Sequence, residues 1–488
     1  MSALRIFGLD GLFLAVGLAS LYGLGLVRSR GSALRLAGLA LLSGWALVGV
    51  GTTLMLTAGA AGTAPQVALL AVVLGGAALA LGKRVRPLAV SRGWRSSTPA
   101  RALAAGGLLL LLASLEEILR SIWHAQPARW DAWAFWVPKA EALVYTGGLH
   151  TGPGTIESFA NPDYPPLVPT LDATVFRFAG KVDAGLLPVQ HWVLGVALFA
   201  ALAGLLWHRV APEVLFPGLA VMSMLPVYQH DVGSLLGDET LLTAFALAGV
   251  AAALWLLERE PRYLALYALF GSAMALAKNE GFTYVLAIGA VLVVIGLLER
   301  PRPALLLAAL PPLAMLPWKL WSRAHHVPPS DYYRFSNVLH PDYLADRAGR
   351  LWHTLRELPQ YYTAFDRWLL TLPVAAVLVA LAARRRPALA VFVAATVVVG
   401  FVGNVVVYWI SPAPLDWYIS TSAERTATGP LVFLAALCPL LAFEALTGRR
   451  VEAAEPEPAA VAASAPRLET AAAAVAPLQP ETVGGGPD

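Results

Sequence analysis

The chain has 488 residues, of which 58% are hydrophobic and only 14% are charged, against about 25% charged in typical soluble domains. Apolar runs recur from end to end, so the sequence predicts an all-α, polytopic membrane protein. Its net charge of +4 comes from basic residues in short loops between these runs, and the positive-inside bias explains them better than nucleic-acid binding does. The one cysteine, Cys438, lies in an apolar run, which excludes a disulfide framework and a thiolate metal cluster.

About thirteen candidate membrane spans follow one another along the chain. They start near residues 8, 33, 64, 102, 186, 212, 239, 262, 281, 303, 367, 388 and 428. No convincing small-residue cleavage site follows the first run, so we interpret it as a retained span and not as a signal peptide. The runs near 262 and 281 are short enough to be half-spans.

Basic clusters in seven loops fall on one side of the membrane if thirteen spans are threaded in order. These clusters begin at Arg28, Lys83, Arg209, Arg259, Arg300, Arg384 and Arg449. The positive-inside bias then predicts an outer N-terminus and a cytoplasmic C-terminus in a bacterial-type inner membrane. The long polar segments, at about 123–185, 229–238, 321–366 and 411–427, fall on the outer side. We therefore expect any chemistry to take place there.

Two segments outside the spans have a distinctive composition. Within 341–366, Leu344, Leu351, Leu355 and Leu358 recur at helical spacing among charges, a pattern typical of an amphipathic helix lying on a membrane surface. Residues 447–488 are mostly Ala, Pro, Glu and Gly with few aromatics, which predicts a disordered cytoplasmic tail. The sequence contains no Gly-rich phosphate loop and no nucleotide-binding fingerprint.

The stretch 130–139 carries the strongest candidate for chemistry. Trp130, Trp133 and Trp136 surround Asp131 just past a span, and Trp favours the membrane–water boundary. Partial desolvation there makes a carboxylate a better general base. The alternative role for Asp131 is to cap the following helix.

Acidic residues also gather where an outer loop meets the span near 239. Asp238 and Glu239 start that span, after Asp231 in the same loop. Acids at a helix N-terminus favour the macrodipole, so a structural cap is one interpretation. Substrate binding, or a divalent cation held by carboxylate oxygens, is the other.

Lys278, Glu280 and Arg425 are further candidates on the same side. The first two occupy a turn between apolar segments, and ionisable groups at membrane depth tend to be functional unless the turn simply reaches water. Arg425, next to Glu424, precedes the last span and suits a lipid phosphate, with snorkelling to headgroups as the alternative.

Lys139, Asp163 and Tyr164 complete the candidate substrate-binding residues. Asp163 and Tyr164 lie in a Pro-rich, rigid loop and either contact a substrate or position the loop. For Lys139 three roles are open: it binds a phosphate, pairs with an acidic neighbour or extends to the lipid headgroups. His325 and His326, near Asp331, are weak evidence for a metal site.

These motifs, in this order, resemble the polytopic GT-C glycosyltransferases. The resemblance is narrower to bacterial members grouped with dolichyl-phosphate-mannose-protein mannosyltransferases and lipid A aminoarabinose transferases. It is carried by Asp131 in a Trp-rich first outer loop and by Asn-Pro-Asp-Tyr-Pro-Pro-Leu at 161–167. Gly-Asp-Glu at 237–239, Lys-Asn-Glu-Gly at 278–281 and Ser-Ala-Glu-Arg at 422–425 fit the same pattern.

The resemblance covers about residues 101–446, so residues 1–100 are expected to form extra N-terminal spans. It implies transfer of a sugar from a polyprenyl-phosphate donor to a lipid, glycan or protein acceptor outside the membrane. Asp131 is then the base, and inversion follows from a single in-line displacement. Lys278, Arg425 or Arg323 would stabilise the leaving phosphate. No cofactor is expected, and we favour no required metal because a lipid phosphate carries less charge than a nucleotide diphosphate.

Three other functions fit parts of the pattern. A transporter or flippase of lipid-linked sugars shares the span count but usually places ionisable residues near the bilayer midplane in repeated halves. An O-antigen ligase or polymerase would carry its large outer loop late in the chain and rich in basic residues. A non-catalytic scaffold leaves the polar clusters unexplained. An enzyme fits best, because the acids gather at one face.

Overall fold

The computed structural model describes residues 2–88, 97–123, 130–231, 238–298, 305–329 and 335–446. Every regular element in these ranges is helical. In chain order the α-helices are α1 (Ser2–Gly23), α2 (Arg30–Arg35), α3 (Ala37–Thr57), α4 (Ala64–Gly82), α5 (Thr98–Ile122), α6 (Val137–Tyr145), α7 (Leu167–Ala179), α8 (Leu187–Leu206), α9 (Pro212–Ser223), α10 (Pro226–Asp231), α11 (Asp238–Glu258), α12 (Pro261–Ala277), α13 (Asn279–Leu298), α14 (Leu305–Ala309), α15 (Leu316–Ala324), α16 (Pro341–Ala345), α17 (Ala348–Tyr362), α18 (Phe365–Trp368), α19 (Thr371–Ala383), α20 (Pro387–Ile410) and α21 (Leu415–Leu446). The predicted tail, 447–488, lies outside the described residues.

Nine helices within these ranges are long and apolar enough to cross a membrane: α1, α3, α4, α5, α8, α11, α13, α20 and α21. Helices α9 and α19 are apolar but shorter. The all-α, polytopic architecture is therefore confirmed, with nine to eleven candidate spans by length and composition among the described residues; the predicted count of thirteen is not confirmed. The run predicted to span near 303 is broken into α14, a 3₁₀ turn at Pro311–Met315 and α15. Pro311, Pro312 and Pro317 remove the amide donors that a continuous helix needs there.

Close approach of α1 and α3 is made possible by glycine. A Cβ atom on Gly17 would lie 1.6 Å from the Ala40 carbonyl oxygen, and one on Gly44 would lie 1.7 Å from the Phe13 carbonyl oxygen. Small residues let helix backbones meet where lipid offers no hydrophobic drive for association. This pair packs in turn on α7 and α8, so the first helices are integrated with the rest of the bundle.

One end of the bundle collects basic loops. Arg28 donates to the carbonyls of Gly82 and Val85 at 2.8 Å, and Arg262 donates to those of Gly25 and Arg86. Nearby, Glu258 accepts from Arg209, and Glu444 pairs with both Arg209 and Arg386. Five of the seven basic clusters are thus connected by direct contacts. The clusters at 300–302 and 449–450 lie outside the described residues.

The opposite end is built from α6, α7 and the loops around them. The Arg177 guanidinium fixes α7 by donating to the carbonyls of Gly62 and Leu143. Helix α7 ends at Gly180, which has a positive φ of 74°, a left-handed conformation that glycine adopts at little cost. The loop that precedes α7 carries Asp163 and Tyr164 inward.

The amphipathic segment predicted within 341–366 contains α16 and α17. Leu358 is fully buried against the bundle, whereas Trp352 on the same helix is 70% exposed. Arg350 anchors α17 by donating to the Tyr408 and Ala413 carbonyls at 3.1 and 2.8 Å.

Substitution of Gly44 tests the α1–α3 contact. We expect Gly44→Ala to lower the apparent melting temperature in detergent, because overpacking costs about 1–3 kcal/mol. The matched control is Gly76→Ala on α4, where a Cβ atom would meet nothing within 4 Å. Since alanine is the better helix former by about 0.5–1 kcal/mol, the control should be neutral or stabilising. Equal stabilisation by both substitutions would contradict the contact.

Candidate functional site

Asp131 and Arg425 form an ion pair at the end of the bundle opposite the basic loops. Asp131 is only 6% exposed and precedes a π-helical turn, Ala132–Trp136, that continues into α6. Its side chain makes no capping hydrogen bond to that turn, so the carboxylate is directed to the Arg425 guanidinium instead. The structure therefore brings together two predicted site residues that are 294 positions apart.

Aromatic rings form the wall beside this pair. Phe135 and Trp136 are buried, and both pack on Tyr164, with ring centroids 5.9 and 5.8 Å apart. Trp130 and Trp133 are 48% and 56% exposed, as expected of rings at a membrane boundary. The π-helical turn widens the backbone spiral locally, and it carries Asp131 at one end and the buried rings at the other.

Glu280 and Lys278 lie next to this aromatic wall. The Tyr164 hydroxyl donates to Glu280 Oε1 at 3.3 Å, and Glu280 Oε2 is buried without a hydrogen-bond partner among the described residues. Lys278 is 4% exposed, with its Nζ atom 5.9 Å from the Trp136 ring centroid. The turn between α12 and α13 therefore does not simply reach water; its side chains are folded into the protein.

Tyr408 on α20 links the two groups of charges. Its hydroxyl hydrogen-bonds with Ser422 and Thr426 on α21 at 2.9 and 3.1 Å. The same hydroxyl is within electrostatic range of Glu280 and Arg425. The ion pair and the Tyr164–Glu280 contact thus belong to one continuous polar region.

A second part of this region surrounds Asp163. Lys139 is 1% exposed and donates to the Asn161 carbonyl, with its Nζ atom 5.3 Å from the Phe135 ring centroid. Burial lowers the pKa of Lys139 to about 7, although the nearby Asp163 carboxylate favours the charged amine. Burial also raises the pKa of Asp163 above its usual value, against the opposing effects of Lys319 and Lys139.

Lys319 and Asn279 are residues of this region that the sequence analysis missed. Asn279 donates to Asp163 Oδ2 at 3.4 Å, and the Lys319 charge acts on the same carboxylate. The available signal for Lys319 was a lysine flanked by Trp318 and Trp321, which resembles the aromatic surroundings of Asp131.

Glu239 lies in a different buried cluster. His191 Nε2 is 3.2 Å from Asp172 Oδ1, and His191 Nδ1 is 3.7 Å from Glu239 Oε1. These contacts tie the start of α11 to α7 and α8. Asp172 and His191 were not predicted; a charged residue inside an apolar run was the only signal. The backbone of Asp238 begins α11, but its side chain lies outside the described residues.

The other candidates have local partners. Glu424 pairs with Arg367 at 2.8 Å. His325 stacks on Trp321, with ring centroids 4.3 Å apart, and Asp331 lies outside the described residues. Within the described ranges, no group of three or more His, Cys, Asp and Glu side chains is arranged to hold a metal ion.

Comparison with known proteins adds nothing to this geometry. No protein family, curated protein or solved structure matches the chain. The chemistry must therefore be inferred from the residues themselves. A carboxylate opposite a guanidinium, with buried lysines and aromatic walls around them, is suited to hold an anion and to accept a proton beside it.

The titration of Lys139 gives a stability test. Its amine loses its proton near pH 7 in the folded protein but near pH 10.5 when unfolded. Between these values the unfolded chain binds one proton more, so stability rises with pH in that window. We expect the apparent melting temperature to rise more steeply from pH 6.5 to 9 in the wild type than in Lys139→Met.

Lys181 provides the control for this measurement. Its side chain is 50% exposed and pairs with Asp183 at 2.5 Å. Lys181→Met should therefore keep the wild-type pH dependence. If Lys139→Met and Lys181→Met have the same pH dependence, the buried Lys139 amine does not titrate in this window.

Proposed function

We propose that the protein is a membrane glycosyltransferase that moves a sugar from a polyprenyl-phosphate donor to an acceptor hydroxyl on the outer side of the cytoplasmic membrane. The observation that carries the proposal is the ion pair between the buried Asp131 and the partly exposed Arg425, a potential base held against a cation suited to a phosphate. The buried amine of Lys278, next to the Trp136 ring, adds positive charge to the same region. The sequence motifs at 130–139, 161–167 and 422–425, which resemble those of GT-C glycosyltransferases, point to the same chemistry.

The proposed reaction is a single displacement. The acceptor oxygen attacks the anomeric carbon, and its proton passes to an Asp131 carboxylate oxygen. The bond from the anomeric carbon to the phosphate oxygen breaks, and its electron pair leaves with the lipid phosphate. One in-line step of this kind inverts the anomeric configuration.

Arg425 has two partners in this scheme. Before the donor binds, its guanidinium is paired with Asp131; when the donor is bound, the guanidinium turns to the phosphate, to which it can make two parallel hydrogen bonds. The exchange frees a carboxylate oxygen for the acceptor proton. Lys278, held over the Trp136 ring, stabilises the charge that develops on the leaving phosphate.

Sugar hydroxyls are assigned to Glu280, Tyr164 and Asp163. One oxygen of Glu280 and one of Asp163 are buried without a hydrogen-bond partner among the described residues. Buried acceptors without partners are costly unless a ligand or water satisfies them. A sugar supplies hydroxyl donors for both.

The proposal includes the thirteen-span threading, with the N-terminus outside and the C-terminus in the cytoplasm. It is supported by the five basic clusters that meet at one end of the bundle and by the candidate site at the other end. The short or broken helices α9, α12, α19 and α14–α15 would then complete the membrane-embedded region. In this scheme residues 101–446 form the catalytic unit, and residues 1–100 form additional membrane helices.

A transporter of lipid-linked sugars remains the second candidate. The Asp172–His191–Glu239 cluster favours it, because buried ionisable groups on membrane helices often carry protons in transporters. Reconstitution in vesicles with a lipid-linked sugar separates the two functions. Movement of the intact lipid across the membrane without sugar transfer would support the transporter.

Replacing the base tests the catalytic assignment. We expect Asp131→Asn to reduce sugar transfer by about 10²- to 10⁴-fold, the contribution of a general base. Transfer would be measured with purified protein and a panel of polyprenyl-phosphate sugars. Asp342→Asn, at an exposed carboxylate of α16, is the control and should be fully active. Near-normal turnover of a correctly inserted Asp131→Asn protein would falsify the assignment.

Arg425→Lys separates a phosphate contact from a charge alone. Lysine keeps the positive charge but loses the planar fork, so we expect kcat/KM for the lipid donor to fall by about 10- to 100-fold. The neighbouring Glu424→Gln breaks only the pair with Arg367 and should leave kcat/KM within about twofold. Equal losses in the two variants would point to disruption of α21 and not to loss of a phosphate contact.

A further inference from the structure

A crevice opens between α5, α8 and α9, well away from the candidate site. It has a volume of about 300 Å³ and is lined almost entirely by apolar side chains. Leu108 and Leu112 form its α5 wall, and Phe199, Ala203 and Trp207 form its α8 wall. Leu112 is 53% exposed, so the crevice opens to the surface of the helix bundle.

Arg35 is the charged residue of this lining. Its Nε atom is buried and has no hydrogen-bond partner among the described residues. The position of Arg35 is fixed by backbone packing, since a Cβ atom on Gly204 would lie 2.4 Å from the Arg35 carbonyl oxygen. A buried guanidinium nitrogen without a partner is costly, which suggests that a ligand atom satisfies it.

The crevice has the length of one membrane leaflet. Its α8 wall runs from Val196 to Trp207, or about 16 Å at the rise of an α-helix. The hydrocarbon core of a bilayer is about 30 Å thick. Arg35 lies at the Gly204 end of this wall, the end at which Arg209 pairs with Glu258 and Glu444. An apolar slot one leaflet deep, with a cation at the basic end, matches the shape and charge of a lipid.

We propose that the crevice binds one anionic membrane phospholipid. Its phosphate pairs with the Arg35 guanidinium, and one acyl chain lies along α8 between Leu112 and Trp207. Basic pockets between membrane helices are known to select anionic headgroups on the cytoplasmic side. The volume is that of a small-ligand pocket and too small for a helix of a partner protein. The bound lipid holds α5, α8 and α9 together at the end opposite the candidate site.

Native mass spectrometry of the full-length protein tests this proposal. Protein freed of lipid in mild detergent is titrated with phosphatidylglycerol or phosphatidylcholine of the same acyl chains. We expect one phosphatidylglycerol site with a Kd at least fivefold below that of phosphatidylcholine. Arg35→Gln should raise the Kd for phosphatidylglycerol about tenfold and that for phosphatidylcholine by a smaller factor, because the choline cation offsets the phosphate charge, so the selectivity between the two lipids falls. The control Arg30→Gln, at an exposed position of α2, should change neither.

A second variant tests the apolar slot independently of charge. Ala203→Phe fills the crevice and should weaken both lipids, whereas Leu109→Phe, on the exposed face of α5, should weaken neither. The slot variant also keeps the test decisive if Arg35→Gln does not fold. Absence of lipid selectivity in the wild type, or tighter Arg35-dependent binding of a polyprenyl phosphate, would overturn the proposed occupant.

Discussion

The polar end of the bundle depends on the ion pair between the buried Asp131 and the partly exposed Arg425. The Asp131 carboxylate is only 6% exposed, so it would be costly there without a charged partner. The pair therefore fixes the π-helical turn after Asp131 against α21. With the turn fixed, Phe135 and Trp136 pack on Tyr164, and Tyr164 reaches Glu280. One electrostatic constraint thus sets the position of several elements.

The lysines of this region are stabilised in a different way. Lys139 and Lys278 lie over aromatic rings, where the negative face of the ring favours a cation. Neither amine is solvated by bulk water, since both lysines are at most 4% exposed. An incoming phosphate would therefore meet amines that are already desolvated and oriented, and its negative charge would favour the protonated form of Lys139. The same burial disfavours the charged amine and lowers the pKa of Lys139 to about 7.

Parts of this site could be predicted from the sequence because their signals are local. Asp131 stands among three tryptophans, and Arg425 interrupts the approach to an apolar run. Lys319 carried a similar aromatic signal but lies in a segment that resembled a continuous span. Glu239 was predicted to bind substrate on the same side as Asp131, yet its contacts run to His191. Two residues that lie on the same predicted side of the membrane need not lie on neighbouring helices.

The sequence by itself determined that the chain is a helical, multi-pass membrane protein, because hydropathy and helix length are properties of each segment alone. It also distinguished short loops rich in Arg and Lys from the longer polar loops that carry the candidate site residues. The number of full-length helices was not determined, since prolines at 311, 312 and 317 break an apolar run that hydropathy alone treats as continuous. Only the tertiary structure decided that Asp131 faces Arg425 and that Arg35 lines a crevice. Such contacts join residues far apart in the chain, and they depend on helix packing, which no local pattern records.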